Sequence, residues 1–161
     1  PALAFGTGHH PTTASALKAI SKYVKKGNTL MDVGCGSGIL SIAGIKLGAV
    51  VDACDTDIIS VENSITNAKL NGVEYANIWE GSCSKSDKKY DIVVANIVAD
   101  VLTFIAKDLK SALKDDGILV LSGILDKYEK KVLSFYKDCE VVERIAQDEW
   151  VTLIVKKRLD K

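Results

Sequence analysis

The strongest indication of the fold is a glycine-rich stretch near the N-terminus. Residues 30–38 read Leu30-Met31-Asp32-Val33-Gly34-Cys35-Gly36-Ser37-Gly38. An apolar run that begins at Thr29 leads into it, and an apolar helical pattern follows from Ile39 to Leu47. A strand, a glycine-rich turn and a helix N-terminus in this order form the first unit of a nucleotide-binding α/β domain. Glycines in such a turn permit positive φ and let a ligand approach the backbone.

The spacing of the glycines separates two classes of cofactor. A dinucleotide fingerprint would place its third glycine at position 39, where this chain has Ile39. The loop of S-adenosylmethionine-dependent methyltransferases has the spacing seen here, so Gly34, Gly36 and Gly38 are predicted to bind that cofactor. Asp32 lies near the end of the preceding strand, where a negative charge suits a sulfonium better than a pyrophosphate. The alternative is a plain tight turn with an acidic residue beside it.

The composition is that of an ordinary globular domain. The 161 residues suffice for one domain with a real core, and 47% of them are apolar. Lysine and arginine balance aspartate and glutamate at 21 each, so the chain lacks the basic footprint of direct nucleic-acid or membrane binding. No apolar run approaches the length of a bilayer-spanning helix, and the first residues lack a signal-peptide layout. We expect a monomer, and the use of cysteine in the chain fits a reducing cytoplasm.

The few cysteines and histidines do not suggest a metal site. The four cysteines show no C-x-x-C spacing, and the two histidines are the neighbours His9 and His10. We expect no metal, no disulfide framework and, since no base stands beside a cysteine, no catalytic thiol. His9 and His10 are expected to be surface or packing residues rather than bases.

Strand and helix patterns alternate along nearly the whole chain. They predict parallel strands at 29–33, 50–54, 77–80, 90–95 and 118–122, with helices at 13–24, 39–47, 57–71, 98–113 and 127–136. The last two strands, 140–145 and 150–156, have no helix between them and must form an antiparallel hairpin. The predicted fold is α/β, a Rossmann-like seven-stranded class I methyltransferase sheet that is mostly parallel with a C-terminal antiparallel hairpin. A dinucleotide-binding fold would carry another parallel crossover there.

Polar residues follow two of the predicted parallel strands, at the edge of the sheet where α/β folds bind ligands. Asp55 comes directly after the second strand and is predicted to accept both ribose hydroxyls of an adenosine. Asp57 is assigned to the cap of the next helix, although Asp55 could be that cap instead.

The fourth strand ends at Asn96, which has both a donor and an acceptor with which to orient an amine. The alternative role of Asn96 is to cap the next helix. Adenine contacts are left to Ser82 or to backbone groups.

The segment ahead of the first helix has no regular pattern. Residues 4–13 contain two glycines, a proline and three threonines, a composition that favours neither strand nor helix. The segment is either a frayed end or a cover over the cofactor, with Phe5 stacking and Thr13 supplying a hydroxyl. Thr12 or Thr13 is expected to cap the helix that follows Pro11.

Taken together, these motifs resemble the PrmA family, methyltransferases that modify protein eleven of the large ribosomal subunit. The resemblance covers essentially the whole chain and is carried by residues 3–13, 32–40, 94–97 and 121–125. It implies S-adenosylmethionine binding through Thr13, Gly34, Asp55 and Asn96. It also implies methylation of protein amines, on lysine side chains and an N-terminal amine. His9 departs from the pattern, since the family usually has threonine there.

The resemblance also bears on domain organisation. The family's full proteins carry a separate N-terminal domain that recognises the ribosomal protein, and this chain is predicted to be the catalytic domain alone. It is expected to be either an excised fragment or a naturally short relative. Residues 1–161 then form one domain, with 1–12 as a segment that covers the cofactor. Three other functions stay open: a methyltransferase for a small molecule or nucleic acid, a nicotinamide-dependent oxidoreductase, and a cofactor-binding fragment that is inactive without its substrate domain.

Overall fold

The computed structural model describes residues 10–158, which are built around one seven-stranded sheet. Its strands are β1 (Thr29–Val33), β2 (Val50–Asp55), β3 (Asn77–Glu80), β4 (Tyr90–Asn96), β5 (Leu113–Leu125), β6 (Cys139–Gln147) and β7 (Trp150–Lys157). They lie in the order β3-β2-β1-β4-β5-β7-β6. The first five are parallel, whereas β7 runs antiparallel to both β5 and β6. The predicted fold class is therefore confirmed, including the C-terminal hairpin.

Six helices pack beside the sheet in the described part of the chain. They are α1 (Pro11–Tyr23), α2 (Ile39–Lys46), α3 (Ile58–Leu70), α4 (Ala99–Phe104), α5 (Ala106–Ser111) and α6 (Glu129–Leu133). Successive strand residues point to opposite faces, so Leu30 packs in an apolar cluster with α1 while Met31 packs in a second cluster with α4 and α5. Burial on both faces explains why β4 is an almost continuous apolar run.

None of the helices among residues 10–158 is long and apolar enough to cross a bilayer.

The first helix starts earlier than predicted. It begins at Pro11 and is capped by His10, whose Nδ1 accepts a hydrogen bond from the Thr12 amide at 3.2 Å. Neither Thr12 nor Thr13 is the cap, and both of these threonines are buried inside the helix. Histidine is not among the usual capping residues, which is why the sequence pattern placed the cap at a threonine.

The prediction of a single helix at 98–113 is wrong, because the structure has two helices there, α4 and α5. The helical pattern is broken at Ile105, whose backbone (φ −102°, ψ 16°) leaves the helical region between α4 and α5. Three β-branched residues, Val101, Thr103 and Ile105, surround the break and weaken its helical preference. The helix predicted at 127–136 is also shorter, since a 3₁₀ turn at Asp126–Tyr128 precedes the five-residue α6.

A polar cluster around the buried residues Asp52 and Tyr90 holds the segment that follows β3 in place. Asp52 on β2 accepts a hydrogen bond from the Tyr90 hydroxyl and a second one, at 3.0 Å, from the side-chain amide of Asn77. The same Tyr90 oxygen lies 2.8 Å from the hydroxyl of Ser86, just after a 3₁₀ turn at Cys83–Lys85. Because this turn adjoins the carboxyl edge of the sheet, the cluster holds in place the residues that shape the candidate site.

Replacing Tyr90 by Phe tests this anchor. Tyr90→Phe leaves the buried Asp52 carboxylate without its hydroxyl donor, and the free energy of unfolding should fall by about 1–3 kcal/mol. Urea denaturation measures it, with Tyr128→Phe at a partly exposed ring as the control. Equal stabilities of the two variants would contradict an anchoring role for the Tyr90 hydroxyl.

Candidate functional site

The glycine loop between β1 and α2 is held against the end of β2. The amides of Gly34 and Cys35 both donate to the Cys54 carbonyl, at 2.8 and 3.1 Å. Gly34 has φ +72°, and a Cβ added there would lie 2.6 Å from Cγ2 of Ile97. Only glycine fits this position without moving Ile97, so the loop passes as close to the next strand end as backbone can.

Two side chains of α3 support this loop from outside the candidate site. The Ser64 hydroxyl donates to the Gly36 carbonyl at 2.7 Å, and the side-chain amide of Asn67 donates to the Ser37 carbonyl at 2.9 Å. Neither residue was predicted from the sequence. Their spacing of three positions, which places both on one face of a helix, was the available signal.

Asp55 ends β2 with its carboxylate at the glycine loop. Its Oδ2 accepts from the Gly36 amide at 3.0 Å and its Oδ1 from the Asp57 amide at 2.9 Å. Each carboxylate oxygen retains a further lone pair for a ligand. Asp57 is the N-cap of α3 and accepts from the Ile59 amide at 3.0 Å. The capping assignment of Asp57 is confirmed, and the alternative that Asp55 is the cap is wrong.

A cavity of about 510 Å³ opens at the carboxyl ends of β1, β2 and β4. Four of the predicted site residues line it together, namely Gly34, Gly36, Asp55 and Asn96. The opposite wall is apolar and comes from the segment after β4 and from α4, with Ile97, Val98 and Val101. A volume of this size lies within the range of small-molecule sites.

Asn96 lies at the end of β4 and contacts α1. Its Nδ2 donates to the Thr13 hydroxyl at 3.4 Å, and Thr13 is fully buried in α1. The following helix is capped by Val98, so the alternative that Asn96 is its cap is wrong. Ser122 on β5 fixes α1 beside Asn96, because its hydroxyl donates to the Thr12 carbonyl at 3.0 Å.

Comparison with known proteins assigns the chain to a family. A family model described as ribosomal protein L11 methyltransferase (PrmA) matches residues 1–158. The chain belongs to this family. A ribosomal protein L11 methyltransferase from Nitratiruptor is 57% identical over 97% of this chain and 55% of its own length. A second, from Campylobacter concisus, is 54% identical over 97% of this chain and 56% of its own length.

A solved structure shows the same fold for the PrmA family. The ribosomal protein L11 methylase of Lactobacillus delbrueckii is 33% identical, with a TM-score of 0.89 over 94% of this chain and 81% of the solved one. This PrmA-family chain spans about half the length of the curated relatives it matches.

Other predicted cofactor residues of this PrmA-family chain lie away from the cavity wall. Asp32 is buried at the other side of the loop, where it accepts from the Ser41 hydroxyl of α2 at 2.5 Å. Gly38 is the N-cap of α2, and a Cβ there would lie 2.7 Å from the Tyr75 hydroxyl. Both residues lie on the side of the loop that faces away from the cavity. The predicted direct contacts of Asp32, Gly38 and the buried Thr13 with the cofactor stay predictions, as does that of Phe5, which lies outside the described residues.

The histidine and cysteine side chains take structural roles in the described range. His10 caps α1 and meets the Trp150 ring edge-on, with ring centroids 5.1 Å apart, whereas His9 lies outside the described residues. All four cysteines are buried free thiols. Burial raises the pKa of Cys83 at the cavity wall to about 11, so this thiol stays protonated and is a poor nucleophile. Among residues 10–158, no group of three or more His, Cys, Asp or Glu is placed to hold a metal ion.

The ionisation of Asp32 gives the site a measurable pH dependence. Burial raises the pKa of Asp32 to about 6, against the opposing effect of the hydrogen bonds from Ser41, and the nearby Asp55 raises it further. The folded state therefore binds more protons than the unfolded state between about pH 4 and pH 6. The contribution of Asp32 to the free energy of unfolding is therefore most favourable below this window, and it declines as the pH rises through the window.

We expect Asp32→Asn to gain stability relative to the original protein as pH rises from 4 to 7. The gain should be on the order of 2–3 kcal/mol, since the asparagine cannot ionise and still accepts from Ser41. Urea denaturation at several pH values measures it. A difference in stability that does not change with pH would contradict the assignment.

Asp91 provides a control of opposite sign. Burial alone would raise its pKa, but hydrogen bonds from Thr29 and Lys114 outweigh burial and hold that pKa below its usual value. Asp91 stabilises the fold once it is ionised, and this contribution is lost as pH falls through its folded pKa. Asp91→Asn should therefore lose stability relative to the original protein at neutral pH and lose less in acid.

Proposed function

We propose that this chain is the catalytic domain of an S-adenosylmethionine-dependent protein N-methyltransferase. Its substrate is ribosomal protein L11, methylated on lysine and N-terminal amines, in agreement with the names of its relatives. One observation supports this above all: the Gly34 backbone and the Asp55 carboxylate share a cavity with the Asn96 amide at the carboxyl edge of the sheet. A cytoplasmic location fits a ribosomal substrate, and the charge balance favours neither direct nucleic-acid binding nor a membrane.

The residues of the cavity fit S-adenosylmethionine. Asp55 has acceptor capacity left for the ribose hydroxyls, and the glycine loop leaves backbone open to the methionyl part. Ser82, with its neighbours Gly81 and Cys83, lines the end of the cavity where we place the adenine. When bound, S-adenosylmethionine supplies an electrophilic methyl group on a positively charged sulfur.

In this proposal Asn96 orients the amine. Because the Thr13 hydroxyl takes a hydrogen from its Nδ2, the side-chain carbonyl of Asn96 is left to accept from an amine N–H. A free lysine amine has a pKa of about 10.4, which an apolar, desolvated wall lowers. No general base is assigned, and catalysis rests on alignment, which contributes up to roughly 7–11 kcal/mol in well-oriented reactions.

A second function is favoured by one specific finding. The chain spans about half the length of its curated relatives, so recognition of L11 can depend on parts of those proteins that this chain does not match. In that case this chain alone is a cofactor-binding fragment that binds S-adenosylmethionine without methylating L11. The two functions differ in turnover and share the cofactor site.

Calorimetric titration tests the cofactor site with a matched pair of acids. Asp55→Ala should weaken S-adenosylmethionine binding about 10- to 150-fold, the effect of losing hydrogen bonds to a charged group. Asp57→Ala, two residues away, loses only a helix cap, so stability should fall by about 1 kcal/mol with affinity unchanged. Equal loss of affinity in both variants, or saturable binding of NAD in place of S-adenosylmethionine, would contradict the proposal.

Asn96→Ala should reduce turnover more than cofactor affinity. We expect a roughly 100-fold fall in methylation of purified L11, as for a misaligned reactant, followed by mass spectrometry. Asn71→Ala, at the exposed end of α3, is the control. Equal losses of turnover and of S-adenosylmethionine affinity would exclude an orienting role. If the original chain binds the cofactor but leaves L11 unmodified, the fragment function is correct.

A further inference from the structure

Two buried hydroxyl groups of the sheet lie beside the candidate site without lining it. Ser122 on β5 and Thr152 on β7 are both buried, and their hydroxyl oxygens lie 2.8 Å apart. Neither side chain lines the cavity of about 510 Å³ that Asn96 borders. A buried hydroxyl costs free energy unless it is hydrogen-bonded, so the partners of these two groups show what they hold in place.

A β-bulge brings these two hydroxyls together. The pairing of β5 with β7 shifts register between Leu121 and Ile124. Two residues of β5, Ser122 and Gly123, therefore lie opposite Thr152 on β7. Bulges of this kind re-aim side chains and are frequent next to active sites. Here the Ser122 hydroxyl faces both Thr152 and the first turn of α1.

The hydrogen bonds of this pair have a fixed direction. A hydroxyl carries one hydrogen, and that of Ser122 is donated to the Thr12 carbonyl at 3.0 Å. Because a carbonyl can only accept, the bond between the two hydroxyls is donated by Thr152 to the Ser122 oxygen. The hydrogen bonds therefore run from Thr152 through Ser122 to the backbone of α1.

Ser122 holds both sides of the contact between Asn96 and Thr13. Its backbone carbonyl accepts from the amide of Ile97, the residue directly after Asn96, at 3.2 Å. Its side chain binds the carbonyl of Thr12, the residue directly before Thr13. The hydrogen bond from Asn96 Nδ2 to the Thr13 hydroxyl is long, at 3.4 Å, so a small displacement of α1 would break it. The orientation of the Asn96 amide thus depends on Ser122.

We propose that Ser122 and Thr152 are positioning residues for the methyl transfer. Thr152 holds the Ser122 hydroxyl in the orientation that binds the Thr12 carbonyl. Ser122 in turn fixes α1 where Thr13 receives a hydrogen from Asn96, so that the side-chain carbonyl of Asn96 remains available to an amine. This inference rests on the proposed methyltransferase function and adds to it the groups that set the orientation of Asn96.

Proton–nitrogen correlation NMR of the Asn96 side-chain amide provides a direct test. Its pair of signals is the one that Asn96→Asp lacks. Thr152→Val removes the hydroxyl and keeps the branched shape of the side chain, and it should shift both signals. Thr152→Ser keeps the hydroxyl and should leave them in place. Asn96 signals that do not move in Thr152→Val would overturn the proposal.

Tyr136→Phe is the matched control for this measurement. It also removes a buried hydroxyl that donates to a helix carbonyl, that of Leu102 at 2.8 Å. Tyr136 packs in the apolar cluster on the face of the sheet opposite α1, so the Asn96 signals should not move. If they move as much as in Thr152→Val, they report general loosening of the fold and the proposal is wrong.

A double substitution tests the order of the two hydroxyls. Ser122→Ala removes both hydrogen bonds and should shift the Asn96 signals further than Thr152→Val does. In the Ser122→Ala background, Thr152→Val should have no additional effect, because Thr152 acts through Ser122. Independent, additive shifts would contradict this order. The variants of Thr152 decide the proposal even if Ser122→Ala does not fold.

Turnover and cofactor affinity separate positioning from a loss of stability. We expect Thr152→Val to methylate purified L11 about 2- to 10-fold more slowly, the effect of one lost hydrogen bond, with a smaller change in S-adenosylmethionine affinity. Thr152→Ser and Tyr136→Phe should turn over at the original rate. Equal losses of turnover and affinity in Thr152→Val would overturn the positioning role.

Calorimetry with S-adenosylmethionine on the original chain separates this proposal from the function on which it rests. If the chain does not bind S-adenosylmethionine, the methyltransferase function fails, and the catalytic role of the two hydroxyls fails with it. If the chain binds S-adenosylmethionine but does not methylate L11, the NMR signals of Asn96 decide the proposal, since they need no turnover. Binding of S-adenosylmethionine with Asn96 signals that ignore Thr152→Val overturns the positioning role alone.

Discussion

The hydrogen bond from the Gly36 amide to the Asp55 carboxylate joins the two halves of the candidate site. It connects the loop after β1 to the end of β2, and the Cys54 carbonyl adds two further bonds to the same loop. Supported from α3, the loop cannot collapse into the cavity it borders. A carboxylate held at a fixed place by backbone amides is a preorganised acceptor, and the proposed ribose contact depends on this arrangement.

The second constraint is the close packing around Ile97. Gly34 approaches its side chain from β1, and Gly123 approaches its carbonyl from β5, each near enough that a Cβ would lie 2.6 Å away. The segment after β4 is therefore clamped between two neighbouring strand ends. This clamp sets the position of Asn96 and Val98, and hence of one wall of the candidate site. Substitution of either glycine would move that segment, whatever its direct role in binding.

Much of the architecture could be predicted because its signals are local. The glycine spacing at 34, 36 and 38 marked the strand-loop-helix unit, and the short connection before Trp150 required a hairpin. Asp57 was recognised as a cap from its place before a helical pattern. The break at Ile105 and the cap at His10 were missed, since weak helix formers and an uncommon capping residue give no clear local pattern.

The sequence by itself determined the order of strands and helices, the family, and four residues that meet at the larger cavity, because period and spacing act within a few residues of the chain. Only the tertiary structure decided which way Asp32 points, since it faces Ser41 behind the loop. It also decided that Thr13 lies against Asn96 and that Tyr128 and Trp150 share a cavity. Residues 83 positions apart, such as Thr13 and Asn96, meet only after the sheet has assembled and α1 has packed on it.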